Sequence, residues 1–370
     1  MKNVLVFFGG ESCEHDVSVI TGVMAQNAVD KKQYFPLPIY VGKNGRWYTH
    51  TKLNDVSVFK NLNLQSLEEV AILPSDNTLY KIKKGKLKRI CEIYSAINCC
   101  HGGEGEGGGL SAVLRQSKIP CTSADEFASS LAMDKEFTKI ALKGIGVKCL
   151  SCVRIDRDKF YLRKETALRL IELRLGFPVI VKPAKLGSSI GIKLAKDEKE
   201  LERALTVAFG FDERVIIERA LQSFREINCA VYKSGGEIIA SECEEPILNG
   251  EMLSFEDKYK APTKKTFPAE IDLKLAEKIK KTAKTVYERF KFSGVIRIDF
   301  LLENEEVYLN EINAVPGSLA YYLFCKSTAD FGGFLSRLIE ESVDDYKMSL
   351  QKTTTFQSGV LNISSCKTKR

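Results

Sequence analysis

Residues 295–313 read Val-Ile-Arg-Ile-Asp-Phe-Leu-Leu-Glu-Asn-Glu-Glu-Val-Tyr-Leu-Asn-Glu-Ile-Asn. Two largely apolar runs flank a Glu303-Asn304-Glu305 turn, the pattern of a β-hairpin with one face against a core. In the first run Arg297 and Asp299 share one face, and Ile296, Ile298 and Phe300 share the other. Strict alternation in the second run puts Glu311 and Asn313 on the face of Val307 and Leu309. A hairpin centred near Asn304 then sets Asp299 opposite Leu309 and diagonal to Glu311, about 7–8 Å away. One Asp, one Glu and one Asn oxygen form a hard, oxygen-only donor set, suited to Mg²⁺ holding phosphates rather than to zinc. A solvated acidic face is the plain alternative. It leaves unexplained why Arg297 joins the same face over a wholly apolar back.

Strand, turn and helix follow one another on the N-terminal side of this hairpin. The apolar run 3–8 precedes Gly9-Gly10 and a helical pattern at Val17, Ile20, Met24 and Ala28, the opening of an α/β layer. Residues 51–90 mix polar and apolar types, with five lysines in 81–88, and read as peripheral decoration. Ile93–Cys100 is a strand candidate, Leu110–Gln116 and Ser130–Leu142 are helix candidates, and 155–175 is a charged helical stretch. Strands are expected at Phe177–Lys182, Ile192–Leu194 and Val215–Glu218. Helices are expected at Asp197–Phe209 and Asp272–Phe290, the latter with an apolar step of three or four. Residues 350–370 are polar and read as a loose tail.

The chain has 370 residues, which suits two or three domains, and 44% apolar residues, which excludes whole-chain disorder. Its net charge of +7 is dispersed and names no nucleic-acid partner. No apolar run reaches the roughly 18 residues of a membrane span. The start, Met1–Gly10, enters a strand directly, so no secretory signal is expected. Eleven cysteines is a high, odd count. Cys99, Cys100, Cys149 and Cys229 lie in apolar patterns and read as small buried hydrophobes in a reducing cytoplasm. Cys149-x-x-Cys152 has no second pair, and the chain has three histidines, so a zinc site is not expected.

Four further groupings carry chemistry. Lys182-Pro-Ala-Lys-Leu-Gly-Ser-Ser-Ile-Gly191 ends a strand in a small-residue loop able to close backbone N–H groups over phosphate, though GxxxxGK[ST] is absent. Gly103-x-Gly105-x-x-Gly108, with Asp125 beyond, matches a dinucleotide fingerprint, but so dense a glycine run matches cheaply. His101 before it is a candidate ligand contact or a satisfied strand-end histidine. Glu218 and Glu226 are carboxylates able to accept from a nucleotide's amine or ribose, or a surface pair. Phe255–Phe267, with Lys258, Tyr259, Lys260, Lys264 and Lys265, is a long basic loop suited to a lid.

The motifs Gly9-Gly10…Glu14-His-Asp-Val-Ser18, His101-Gly-Gly-Glu-Gly-Glu-Gly-Gly, Met133-Asp134-Lys135, Lys182-Pro…Gly187-Ser188-Ser189-Ile-Gly191, Lys258-Tyr259, Arg297-Ile-Asp299 and Asn310-Glu311-Ile-Asn313…Pro316-Gly317 span residues 1–325. In this order they resemble the ATP-grasp ligases, and most closely the D-alanine–D-alanine ligase family. The resemblance implies an α/β chain, α+β in its later parts, with the ATP-grasp fold behind a Rossmann-like N-terminal domain. The implied units are 1–122, 123–221, 222–347 and a tail at 348–370. Implied ATP contacts are Lys135, Lys182, Ser188, Ser189, Glu218, Arg219, Leu221, Glu226 and Lys258. Asp299, Glu311 and Asn313 would hold two Mg²⁺ ions, for which Mn²⁺ would substitute. Glu14, Ser188, Tyr259, Arg297 and Gly317 would be catalytic, and Glu14, His101, Arg297, Gly317, Tyr322 and Leu323 would contact substrate. The implied reaction joins two D-alanines through an acyl phosphate, for cell-wall precursors, in the cytoplasm, with small-molecule partners and a homodimer.

The chain departs from the family pattern at Glu106-Gly107-Gly108, Ser111-Ala112, Cys121-Thr122-Ser123 and, most consequentially, Tyr322-Leu323, where many relatives have Ser-Leu for the second substrate's carboxylate. A D-alanine–D-lactate ligase or another carboxylate–amine ligase is the nearest alternative. A nicotinamide dehydrogenase built on the 103–108 glycines leaves the hairpin unexplained. A non-enzymatic nucleotide-binding or basic interaction module leaves the Arg297/Asp299 face unexplained.

Overall fold

The computed structural model describes residues 1–247 and 265–362. Seventeen strands form three main sheets and one two-stranded ribbon among these residues. The first sheet contains β1 (Lys2–Gly9), β2 (Tyr34–Val41), β3 (Trp47–Thr49), β4 (Glu68–Leu73), β5 (Asp76–Lys83), β6 (Lys86–Glu92) and β7 (Ser95–Asn98), in the order β6-β5-β4-β3-β2-β1-β7. Only β2, β1 and β7 run parallel, and β3 to β6 form an antiparallel meander. The polar stretch read as decoration is therefore an extension of the sheet. Its strands escape a pattern reading because charged residues point from both faces of the exposed edge strand β6.

The second sheet joins β8 (Cys152–Asp156), β9 (Val179–Pro183), β10 (Lys193–Ala195) and β11 (Arg214–Arg219) in the order β10-β9-β11-β8. The third joins β12 (Arg225–Ser234), β13 (Glu237–Ala240), β16 (Val295–Glu303) and β17 (Glu306–Asn313) in the order β13-β12-β16-β17. β14 (Glu245–Pro246) pairs with β15 (Lys265–Thr266). In the second sheet Val179, Val181, Val215 and Ile217 face a helix-covered core. Period-two alternation turns Ile180, Lys182, Ile216 and Glu218 to the opposite face.

Two helical expectations change. The stretch 130–142 is broken between helices Glu126–Met133 and Lys135–Gly144. Asp134 is the cause: it takes an extended conformation, and its carboxylate accepts from the Glu136 and Phe137 N–H groups as an N-cap. The stretch 155–175 begins in β8 before its helices Arg157–Leu162 and Lys164–Leu175. Asp197 and Asp272 cap the helices Glu198–Ala208 and Leu273–Arg289, accepting from the Glu200 and Lys274 N–H groups.

Packing does not follow chain order. Ala128, Ala132 and Leu142 pack with Ile227, Ile298 and Phe300 of the third sheet, so the segment after residue 123 serves the later layer. The helix Phe331–Ser349 packs Phe331, Phe334, Leu335 and Leu338 against Val4, Val6, Phe8 and Tyr34 of the first sheet. Glu340 on that helix accepts from Lys2, Tyr34 and Tyr94 at 2.7–2.8 Å.

The β16–β17 hairpin differs from its simple reading in one decisive respect. Asn304 and Glu305, both at positive φ, make a two-residue turn. Pairing runs regularly from Glu303↔Glu306 to Phe300↔Leu309, then resumes at Asp299↔Glu311. Asn310 is the extra residue of a β-bulge. The insertion reverses the parity of the strand. Val307 and Leu309 stay in the core, whereas Glu311 and Asn313 cross to the face of Arg297 and Asp299. Glu311 thus lies directly opposite Asp299, not diagonal to it. Deleting Asn310 is expected to send Glu311 and Asn313 into the core and abolish a single cooperative melt, while Asn310→Ala, which keeps the residue count, melts within a few degrees of wild type. Differential scanning calorimetry of the two variants checks this.

Candidate active site

The site lies where the polar face of β9 and β11 meets the polar face of β12, β16 and β17. Lys182 spans the gap. Its ammonium donates to Glu218 Oε2 at 2.8 Å within its own sheet and to Asn310 Oδ1 at 3.1 Å on the bulge of the other. Lys135, at the first position of its helix, donates to the Leu186 carbonyl at 2.5 Å and lies 3.8 Å from Glu311. Lys135, Lys182, the 184–191 loop and Glu311 of the hairpin therefore converge. Ser188 and Ser189 take left-handed backbone conformations in that loop.

The loop reaches the N-terminal layer through Ser188, whose hydroxyl donates to Glu14 Oε1. Close approach explains two glycines. A Cβ at Gly187 would lie 2.7 Å from Glu14 Oε2, and one at Gly102 would lie 2.7 Å from the same oxygen. Glu14 is buried between them at 7% exposure. Glu106 stands nearby. Its carboxylate accepts from the N–H of Gly102 at 2.8 Å and of Val315 at 3.1 Å. His101 is buried and contacts Thr21 Oγ1 at 2.9 Å, and Thr21 Oγ1 also accepts from the Ser318 N–H at 3.2 Å. Burial, with Arg297 adding to it, lowers the His101 pKa to about 4, so the ring is neutral.

Arg297 grips both oxygens of Asp299, at 2.7 and 2.8 Å, and Asn313 Nδ2 donates to Asp299 Oδ2 at 3.1 Å. Tyr322 lies against Arg297, and burial raises its pKa to about 12, so the phenol keeps its proton and can donate. The Lys265 ammonium sits 3.7 Å from the Tyr322 ring centroid. Leu323 points into the first core. Gly317 opens a turn in which Ser318, Leu319 and Ala320 are all left-handed. Each such non-glycine residue costs about 1–2 kcal/mol, strain of the kind found at functional sites. Glu226 lies on the site face of β12, paired with Leu301. Arg219 points elsewhere, pairing with Glu303 at 2.8 Å near the hairpin tip, and Leu221 is half-buried in the bend after β11. Lys258 and Tyr259 lie outside the described residues.

The hairpin donors fit a magnesium ion. Among the described residues no three His, Cys, Asp or Glu side chains gather into a metal cage. Two carboxylates and an amide on one face are what Mg²⁺ takes when phosphates supply further oxygens. A half-turn of the Asn313 amide presents its oxygen instead of nitrogen.

Two residues were missed by pattern reading. Lys139, one turn after Lys135, is 2% exposed and pairs with Glu218 Oε1 at 2.8 Å. Both Glu218 oxygens therefore carry a lysine, where a carboxylate turned to adenosine was expected. Nothing in a lysine-rich chain marks Lys139 as the buried one. Asn310, the bulged residue, carries no signal because bulges depend on pairing. Conversely, Asp125 of the supposed dinucleotide fingerprint caps the helix Glu126–Met133, accepting from the Ala128 N–H at 2.9 Å, so it has no ribose to hold.

Burial, then the Glu14 charge, raises the Glu106 pKa from 4.5 to about 7. The folded carboxyl keeps its proton to higher pH than the unfolded one, so its contribution to stability is complete below pH 4.5 and is lost as pH rises through about 7. Glu106→Gln is expected to remove this loss: between pH 5 and 8 the wild-type Tm falls by several degrees relative to that of the variant, read by parallel thermal melts.

A model of the D-ala D-ala ligase N-terminus matches residues 3–124, and one of the D-ala D-ala ligase C-terminus matches residues 141–344. The D-alanine–D-alanine ligase of Thermosipho melanesiensis is 33% identical over 371 residues, covering 98% of this chain and 99% of the relative. That of Helicobacter acinonychis is 35% identical over 329 residues, covering 88% and 90%. Among solved structures, D-Alanine-D-Alanine Ligase from Helicobacter pylori superposes with a TM-score of 0.76 at 31% identity, covering 92% of this chain and 98% of that one. VanG D-Ala:D-Ser ligase from Enterococcus faecalis gives 0.76 at 26%, covering 93% and 98%. These neighbours have the ATP-grasp fold, the class expected from the motifs. The two matched models together span Glu14, the loop that closes on it, Lys182 and the bulged hairpin, and by them the chain belongs to the D-alanine–D-alanine ligase family.

Proposed function

We propose that this enzyme joins two D-alanine molecules at the expense of ATP, forming D-alanyl-D-alanine, ADP and phosphate. The observation that carries the reading is Lys182, held between Glu218 of one sheet and Asn310 of the facing hairpin, with Lys135 and Glu311 beside it. That gap has the charge and the walls for a nucleotide: lysines for phosphates, and Ile180 and Ile216 on the same face for a base. Asp299, Glu311 and Asn313 would hold Mg²⁺, which neutralises charge on the transferring phosphate when bound.

In this reading the ammonium of the first D-alanine pairs with Glu14, which Ser188 orients. Its carboxylate oxygen attacks the γ-phosphorus, the bond to the β-phosphate oxygen breaks, and ADP leaves. The acyl phosphate then meets the neutral amine of the second D-alanine. The C–N bond forms, the bond from the acyl carbon to the phosphate oxygen breaks, and the departing phosphate takes up the proton the amine gives up. Arg297 and the Gly317 N–H would stabilise the oxyanion between these events. Ammonium at the Glu14 end and phosphates at the lysine end orient the first substrate unambiguously. The lid residues Lys258 and Tyr259 would close over the phosphates. Tyr322, donating beside Arg297, would bind the second carboxylate where relatives use serine. Peptidoglycan precursor synthesis would place the reaction in the cytoplasm, and a homodimer is the expected assembly. Among the described residues no helix is long and apolar enough to cross a membrane.

D-alanine-dependent phosphate release from MgATP tests the reading, and release independent of D-alanine overturns it. Substituting D-lactate as acceptor is expected to give little product by mass spectrometry, because a protonated Tyr322 and the neutral His101 impose no charge that would favour a hydroxy acid. Glu14→Gln is expected to lower kcat/KM for the first D-alanine about 10²-fold, with KM for ATP little changed. Arg297→Ala is expected to lower kcat by about 10²–10³ in steady-state assays, the loss seen when one oxyanion donor is removed.

A further inference from the structure

Lys139 has no part in the reaction described above, yet among the described residues it is one of the most deeply buried charged side chains. Its side chain is 2% exposed and that of its partner Glu218 1% exposed, with 2.8 Å between ammonium and carboxylate. An isolated ammonium at such depth is costly, so a neutral residue of similar length would serve better if only packing were needed. Helix and strand both aim it. It sits one turn beyond Lys135, and Glu218 shares the β11–β9 polar face with Lys182. Cys152 pairs across from Glu218 on β8, and the Cys149 thiol donates to the Lys139 carbonyl at 3.7 Å.

The charges of this cluster do not cancel. Glu218 bridges two lysines with its two oxygens, Lys139 at 2.8 Å and Lys182 at 2.8 Å. Were Glu218 the partner of Lys182 alone, the pair would be neutral, and phosphate would have to compete with a buried carboxylate for that lysine. With Lys139 on the other oxygen, one positive charge is left over, and it lies on the lysine that faces the gap. Burial would raise the Glu218 pKa, but the two lysines outweigh it and hold it at about 2, so the carboxylate stays charged in any working buffer.

We propose that Lys139 is a positioning residue for nucleotide phosphates: it neutralises Glu218 from behind, so that Lys182 is held in place by the carboxylate yet keeps its charge available to phosphate. The inference rests on the nucleotide reading given above and adds a residue that never touches the nucleotide. It makes the effect of Lys139 depend on phosphate, which a packing role does not.

Titration calorimetry of the full chain with ADP and with adenosine, without D-alanine, separates the two. Lys139→Met is expected to weaken ADP about tenfold or more and to leave adenosine within about twofold of wild type. The double variant Lys139→Met/Glu218→Gln, which removes both buried charges, is expected to bring ADP back to within about threefold of wild type, since replacing both members of a buried pair is often near neutral. Equal weakening of ADP and adenosine, unchanged ADP affinity in Lys139→Met, or a double variant as weak as the single one each overturns the proposal. If Lys139→Met fails to fold, Lys139→Gln, which keeps a polar group beside Glu218 without the charge, is read in its place by the same ADP and adenosine criteria. Failure of the nucleotide reading looks different: wild type binds no ADP, or Lys182→Ala binds it as well as wild type.

Discussion

A β-strand has a period of two, so a strand that buries one face cannot send consecutive members of a motif to the other face unless its count is broken. β17 must do both. Val307, Leu309 and Ile312 fill the third core, while Glu311 and Asn313 stand beside Asp299. These demands conflict under strict alternation, and the bulge at Asn310 reconciles them with one residue. The displaced residue is then used: its side-chain oxygen receives the Lys182 ammonium from the facing sheet. One insertion thereby sets the donor face of the hairpin and ties the two sheets across the gap.

Around that tie the charges are sorted by region. Glu14 lies close enough to Glu106 to help raise the pKa of Glu106 at the N-terminal side, where an ammonium would be welcome. Lys135 and Lys182 face the gap between sheets. Arg297 and Asp299 hold each other between the two regions. The site is preorganised in that Arg297 and Asp299 stand on a strand, Lys182 near a strand end, Lys135 at a helix start and Glu106 at a helix end. The strained left-handed turn Ser318–Ala320 is fixed the same way, through Thr21 and His101.

Much of this was legible before any coordinates. The apolar runs of β1, β7, β9 and β11 and the stepped pattern of the helix Leu273–Arg289 announce themselves, because burial on one side leaves a periodic trace. So do the motifs that bring Glu14, Lys182, Arg297 and Asp299 together. What escaped was set by partners distant in the chain. The bulge depends on what β16 offers opposite. Asp134 interrupts a pattern that is apolar on both sides of it, and only its capping bonds tell it from a residue within a helix. Lys139 has the same letter as dozens of solvated lysines, and its burial depends on Glu218, 79 positions later by subtraction of their numbers. The β4–β6 meander shows polar residues on both faces and so has no amphipathic period to find.

The helix Phe331–Ser349 lies on the sheet that the first residues build, with Phe334 and Leu338 beside Val6 and Phe8, and Glu340 gathering Lys2, Tyr34 and Tyr94. During synthesis the amino-terminal layer therefore leaves the ribosome with one side of its core bare. It stays so until residues 331–349 have been made. Such a layer cannot complete its folding as the nascent chain grows, in contrast to the usual unit-by-unit order. The central layer, whose buried residues run from Val153 to Ile217, has no such debt and can form first. The helix Phe331–Ser349 is then the piece that closes the sheet begun by Lys2–Gly9, and two segments far apart in the chain become a single folding unit.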